Sequence, residues 1–268
     1  MPHLSLDLSC SGVATVTFAN PPLQVMTPTT MNELNALLPR LRENDVRALV
    51  FVGNDPKYFI RHFSVEELSA SSNGQRGHWD ANMDDILLEL ENLPKPVIAA
   101  MNGSAAGGGL EFAMACDIRI AKDGPFRFGL PEVSVGILPG AGGTQRLPAL
   151  VGRNRALEMM LRARLISPNQ ALQYGLIEEL VPAESRETAL DRAQTIALEI
   201  AKRPPLAVAH IKRLAREAVS PVSRTMLEEE SRLFAELLQT HDAKELMGSV
   251  AADHRKARET GSETAELD

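Results

Sequence analysis

Two runs near the N-terminus, Leu4–Leu8 and Val13–Phe18, alternate apolar and polar residues with a period of two. Gly12 sits between them, so the pattern predicts a β-hairpin. Asn20-Pro21-Pro22 then interrupts the chain. Thr27-Pro28 offers a hydroxyl N-cap followed by proline at the first helical position. Met31, Leu34, Leu37, Leu38 and Leu41 continue from there at helical spacing. Residues 46–52 are nearly all apolar and read as a buried strand. Helical spacing over 79–93 stops before Pro94. Residues 97–101 read as a second buried strand, 110–116 as a short buried helix, and 118–121 as a further strand. Strands that alternate with helices predict an α/β fold with parallel pairing.

From Thr144 onward the pattern is almost entirely helical. Ser167-Pro168-Asn169-Gln170 forms a capping box with proline at N1, and Gly175 suits the end of that helix. A long helix over 190–201 halts at Pro204-Pro205. Two more follow over 206–219 and 224–238, and a last one over 243–258. The polar stretch 259–264 reads as a frayed end.

The composition narrows the class. The 268 residues are 44% hydrophobic and 24% charged, ordinary values for a globular chain that needs no covalent staples. A net charge of −7 argues against nucleic acid or an anionic membrane as partner. Two cysteines, Cys10 and Cys116, make no disulfide framework and fit a reducing compartment. No apolar run reaches the roughly 18 residues that span a bilayer, and no secretory signal opens the chain. The expectation is a cytoplasmic protein.

The segment Asn102-Gly103-Ser104-Ala105-Ala106-Gly107-Gly108-Gly109-Leu110-Glu111 carries the strongest chemical signal. It follows a buried strand and opens a helix. It is either a tight turn packed on a sheet or a loop whose free N–H groups meet negative charge on a ligand. It is not a Walker A loop, because Gly109 stands where that motif needs lysine. The run 140–145 ends in Gln145, where a dinucleotide fingerprint needs Gly or Ala. Glu111 and Glu132 both lie in apolar stretches, where a carboxylate pair can divide into one acid and one base. There is no Gly-x-Ser-x-Gly elbow and no zinc-spaced Cys/His cluster. His62 and His78 flank a loop and read as exposed or capping residues.

Taken in order, several segments resemble the crotonase superfamily, the enoyl-CoA hydratase/isomerase family. They are Asn20-Pro21-Pro22, the run 95–100, the run 102–109 with Glu111, Cys116-Asp117, Pro131-Glu132, the run 139–147, the run 171–181 and Arg255-Lys256-Ala257. The resemblance implies a crotonase-like spiral of β-β-α units over 1–200, holding an acyl-CoA site, and a C-terminal helical oligomerisation region over 201–268. It implies an oxyanion hole made by the backbone N–H groups of Gly108 and Phe63. Losing one such donor typically costs about 3 kcal/mol of transition-state stabilisation.

Family members that hydrate carry two glutamates, here matched by Glu111 and Glu132, whereas isomerases commonly lack the first. The resemblance thus implies an enoyl-CoA hydratase adding water across a trans-2-enoyl-CoA thioester in fatty-acid metabolism and β-oxidation. Isomerase, decarboxylase and thioester hydrolase chemistry on the same scaffold are the alternatives, with an RNA-binding crotonase-like protein as a different class. Coenzyme A belongs to the substrate; no cofactor or metal is expected. Substrate contacts are expected at Gln24, Arg61, His62, Gly107, Pro131 and Gly140. Arg61-His62 replaces the family's usual Ala-Gly, so this loop is expected to alter substrate range. A homotrimer or dimer of trimers is implied, and apolar residues of the last helices (Leu227, Leu233, Phe234, Leu237, Leu238, Leu246, Met247) agree with it.

Overall fold

A computed structural model describes residues 2–72, 82–218 and 223–260. The hairpin forms as its alternation predicts: β1 (Leu4–Leu8) pairs antiparallel with β2 (Val13–Phe18). Gly12 makes the turn with φ +81°, a backbone conformation that favours glycine. Helix α1 (Pro28–Arg42) starts at Thr27 in a capping box with Thr30. The buried strand expected at 46–52 runs as β3 (Ala48–Gly53).

From here the chain repeats one motif. After β3, the short strand β4 (Tyr58–Ile60) enters a second sheet, and α2 (Val65–Ser72) and α3 (Met83–Asn92) return the chain. Next come β5 (Val97–Met101), β6 (Ser104–Ala106) and α4 (Gly108–Ala115), then β7 (Ile118–Lys122) and β8 (Phe128–Gly129). A 3-10 turn over Glu132–Val135 precedes α5 (Gly143–Val151), α6 (Arg153–Leu161) and α7 (Pro168–Tyr174). Strand β9 (Glu179–Val181) then closes the large sheet, whose order is β1-β2-β3-β5-β7-β9; the small sheet is β4-β6-β8. All pairings other than β1 with β2 are parallel. The result is the expected spiral of β-β-α units.

The small sheet was not legible in the pattern. Its strands have three, three and two residues, too short to show a period. Strand β9 likewise lies in a stretch whose pattern reads as helical. The turns between the sheets stack closely. A Cβ on Gly103 would lie 2.4 Å from the Lys57 carbonyl, and Asn102 Oδ1 accepts from Gly53 N–H at 2.9 Å. Asn102-Gly103 is therefore a stacking requirement between successive turns of the spiral.

The core between the sheets centres on Phe18, Phe51, Phe59 and Phe112, with several edge-to-face pairs. The other face of the large sheet is covered by α8 (Ala189–Ala201). Ala189, Ala193, Ala197 and Ala201 recur every fourth residue and let that helix lie close to Val50, Ile98 and Ile120. Helices α9 (Pro205–Ala218), α10 (Arg224–Leu237) and α11 (His241–Thr260) follow. Helix α11 runs to Thr260, past the frayed end expected from 259. His78, the helical spacing at 79–81, Val219 and the segment 261–264 lie outside the described residues.

Among the C-terminal apolar residues, Leu227, Leu238 and Met247 are buried against the chain's own body, with Phe234 and Leu237 partly so. They cover α2 and the 3-10 turn. Leu246 is exposed, as are Met226 of α10, Leu161 of α6, and Leu206, Ile211 and Leu214 of α9.

Candidate active site

Three consecutive glycines put the start of α4 where no side chain could follow. Gly107 caps the helix with φ +50° and its carbonyl accepts from Leu110 and Glu111 N–H. A Cβ on Gly109 would lie 2.1 Å from the Ile60 carbonyl oxygen, which presses α4 against β4. A Cβ on Gly108 would lie 3.1 Å from Phe63 Cβ and 3.5 Å from Phe63 N. The first N–H groups of a helix have no intrahelical acceptor, so the start of α4 presents donors beside Phe63.

The loop facing it is held in register. Met26 N–H donates to the His62 carbonyl and Ser64 N–H to the Met26 carbonyl, both at 2.8 Å. In a trans peptide the N–H points opposite to the C=O. With the His62 carbonyl fixed on Met26, the Phe63 N–H is directed away from Met26.

These elements enclose a cavity of about 300 Å³. Glu111, Glu132, Phe63, Gly107, Gly108, Pro131, Gly140 and His62 all line it. Its apolar wall includes Val65, Leu68, Met83, Val135, Ile137 and Phe234. Gln24 and Arg61 stand outside the lining. Gln24 is buried, with Nε2 donating to the Phe18 carbonyl at 2.8 Å and Oε1 accepting from Asn20 N–H at 3.0 Å. That side chain braces the Pro21-Pro22 turn. Arg61 is also buried, its guanidinium 5.1 Å from the centre of the Tyr58 ring.

His62 is neither exposed nor a cap. Its ring is buried and stacks on His254 of α11, with centroids 5.2 Å apart. Nδ1 donates to the Phe63 carbonyl at 2.7 Å, and Nε2 has no partner. Burial lowers its pKa to about 3, so the ring is neutral at pH 7.

The two carboxylates have opposite surroundings. Glu111 Oε1 accepts from Ala141 N–H at 2.8 Å and Gly143 N–H at 2.9 Å. Glu132 Oε1 lies 3.0 Å from the position a Cβ on Gly107 would take, and Oε2 has no partner. Burial, with the Glu230 charge next in weight, pushes Glu111 up to about 8. Burial and the Glu111 charge push Glu132 well above the usual carboxylate range. N–H donors favour an ionised carboxylate, and an unpartnered oxygen favours the neutral acid. Of the two, Glu111 is therefore the one that releases its proton more readily and Glu132 the one that keeps it.

Sequence reasoning missed a third carboxylate, Glu230 of α10, and its neighbour Ser231. The available signal was two polar residues amid Leu227 and Phe234 on one helical face. Among the described residues no group of three or more His, Cys, Asp or Glu is placed to hold a metal ion.

Known proteins resemble this chain in sequence and in fold. The family model for enoyl-CoA hydratase/isomerase matches residues 9–259. A short-chain-enoyl-CoA hydratase of Clostridium acetobutylicum is 36% identical, over 88% of this chain and 89% of its own length. The crystal structure of an enoyl-CoA hydratase from Bacillus anthracis superposes with a TM-score of 0.75 at 30% identity, covering 97% of both chains. That of Pseudomonas aeruginosa DspI gives a TM-score of 0.73 at 30% identity, covering 98% of this chain and 96% of that one.

Proposed function

Because the chain belongs to the enoyl-CoA hydratase/isomerase family, we propose that it adds water across the double bond of a trans-2-enoyl-CoA thioester. The thioester oxygen sits between the N–H groups of Phe63 and Gly108, which stabilise the negative charge that grows there. Water lies between Glu111 and Glu132. Glu111 takes a proton from it as the oxygen bonds to C3. The π electrons move toward C2 and the thioester oxygen, and Glu132 delivers its proton to C2. Between turnovers the proton gained by Glu111 returns to Glu132, so the enzyme is unchanged and the net addition is one water.

The observation that carries this reading is the unequal pair lining one cavity: one glutamate held by two N–H donors and one with its Oε2 left without a partner. The acyl chain runs along Val65, Leu68, Val135 and Ile137. His62, Gly107, Pro131 and Gly140 line the same space and contact the substrate. Gln24 acts on that site through the backbone it braces, and Arg61, lying over Tyr58, through its charge beside His62.

The test is a panel of 2-enoyl-CoA esters, followed by loss of the conjugated thioester absorbance. Glu111→Gln and Glu132→Gln each keep their size and lose one titrating group, and each lowers kcat by about 10²–10⁴-fold. Near-normal activity of Glu111→Gln would instead support double-bond isomerisation.

The wider setting belongs to the same proposal: fatty-acid β-oxidation in the cytoplasm, by a homotrimer or dimer of trimers. Among the described residues no helix is long and apolar enough to cross a membrane, and both cysteines are free. The case for assembly rests on α9. Its polar side docks inward, with Lys212 Nζ 2.7 Å from Asp117 and Arg216 2.5 Å from Glu91. Leu206, Ile211 and Leu214 are left on the outside, at 72%, 69% and 55% exposure. An amphipathic helix oriented this way leaves an apolar face for another copy of the chain.

A further inference from the structure

Four consecutive backbone N–H groups between α4 and α10 alternate between two carboxylates. Ala141 and Gly143 donate to Glu111 Oε1 at 2.8 and 2.9 Å. Gly142 donates to Glu230 Oε1 at 2.5 Å, and Thr144 to Glu230 Oε2 at 3.2 Å through N–H and also through its hydroxyl. Gly142 is the N-cap of α5 and has no side chain to offer. The helix-start donors, normally left over, are thus met by glutamates from two other helices.

Glu230 occupies a helical face otherwise set for packing. Leu227, Glu230, Ser231 and Phe234 follow i, i+3, i+4, i+7 spacing. Phe234 presses on Gly140, where an added Cβ would lie 2.6 Å from its ring. Leu227 lies 3.2 Å from a Cβ built on Gly142. Ser231 donates to Asp84. Glu230 is 4% exposed. A buried carboxylate is costly unless its oxygens are bonded, and both are spent on one segment, 142–144.

We propose that Glu230 is a positioning residue of this site, fixing the 140–144 segment so that Ala141 and Gly143 stay on Glu111, and placing a third carboxyl group beside the acid–base pair. The inference rests on the hydration reading and adds a residue that does not touch substrate. Arg146 supports the same segment, donating to the Ala141 carbonyl at 2.6 Å while paired with Glu91. The charged and titrating groups around Glu111 are then Glu132 from the 3-10 turn, Glu230 from α10, Arg146 from α5, and Glu91 and Asp84 from α3. The neutral His62 stands on the cavity wall. Of these, Glu230 is the one whose charge both raises Glu111 and holds the segment bonded to it.

The experiment uses the full chain with Glu230→Gln and Glu230→Asp. Gln keeps the size, loses the charge and one acceptor. Asp keeps the charge and loses reach. Three readouts are taken: amide hydrogen exchange over 140–144, kcat and KM on a short trans-2-enoyl-CoA, and the acid limb of kcat/KM against pH. With Gln, exchange over 140–144 accelerates, kcat falls about 10²-fold with KM little changed, and the acid limb moves to lower pH by about one unit, because a like charge beside Glu111 is gone. With Asp, exchange and kcat respond in the same way while the acid limb stays near its wild-type position.

Unchanged exchange in both variants overturns the proposal, whatever the activity. So does a fall in kcat with the limb unmoved in Gln, which marks a merely structural residue. If the wild-type chain hydrates no enoyl-CoA, the functional reading fails separately, and exchange still decides whether Glu230 holds the segment. If Gln does not fold, exchange over 140–144 in Asp decides it: acceleration supports the proposal and unchanged exchange overturns it.

Discussion

Glu111 makes the chain less stable than it needs to be at neutral pH. In an unfolded chain its carboxyl titrates near 4.5, and in the fold burial and Glu230 raise it to about 8. Between those values the folded state holds the proton more tightly, so this contribution is full below pH 4.5 and is lost as pH rises through 8. Glutamine at 111 never ionises, and its Oε1 can still accept from Ala141 and Gly143. Glu111→Gln should therefore be more stable than wild type at pH 8 by about 4 kcal/mol, with the gap closing toward pH 4.5. Melting temperatures of both proteins across that range check it; a gap independent of pH would contradict the shift. His62 shows what a single position conceals. In sequence it is a polar residue in a loop. What buries it is His254, from the last helix, and no local pattern contains that contact.

At the scale of elements, the glycine run at the start of α4 divides its labour, and two neighbouring substitutions separate the parts. Gly109→Ala puts a methyl 2.1 Å from the backbone oxygen of Ile60. Strand β4 cannot retreat without opening the small sheet, so the expected cost is about 3 kcal/mol or more, read from urea unfolding. Gly108→Ala puts a methyl 3.1 Å from Phe63 Cβ, a contact with a side chain that a shift of a few tenths of an ångström relieves. The expected result is a folded protein whose kcat drops by about 10²-fold, since the Phe63 and Gly108 donors no longer converge. Equal stability loss in both variants would mean that the loop is as rigid as the strand. The loop also shows how the Arg61-His62 departure resolves. His62 lies on the cavity wall, and Arg61 turns away over Tyr58.

For the whole molecule, the orientation of α9 has a measurable consequence. Light scattering at micromolar concentration should give three or six times the 29.2 kDa of one chain. Ile211→Glu with Leu214→Glu should release single chains, because burying two carboxylates in an apolar contact without partners is strongly unfavourable. A wild-type mass of one chain removes the assembly reading. The helices that follow play another part: α10 brings Glu230 to Gly142, and α11 brings His254 to His62.

Sequence alone determined whatever depends on local spacing. The hairpin, the N-cap at Thr27, the capping box at Ser167, the buried strands and α8 follow from period, caps and breakers within about a dozen residues. The ordered motifs also placed Glu111, Glu132, Gly108 and Phe63 as candidates for one site. Only the tertiary structure decided which neighbours each of them meets. Strands of two or three residues gain stability from the adjacent turn of the spiral and leave no periodic trace. Gln24 and Arg61 are drawn away because a buried polar group takes the nearest backbone or ring partner. Glu230 reaches the site because α10 docks its mixed face on the 140–144 segment. The sequence supplies the chemical groups, but burial and the opposing charge that set their protonation come from residues far away along the chain.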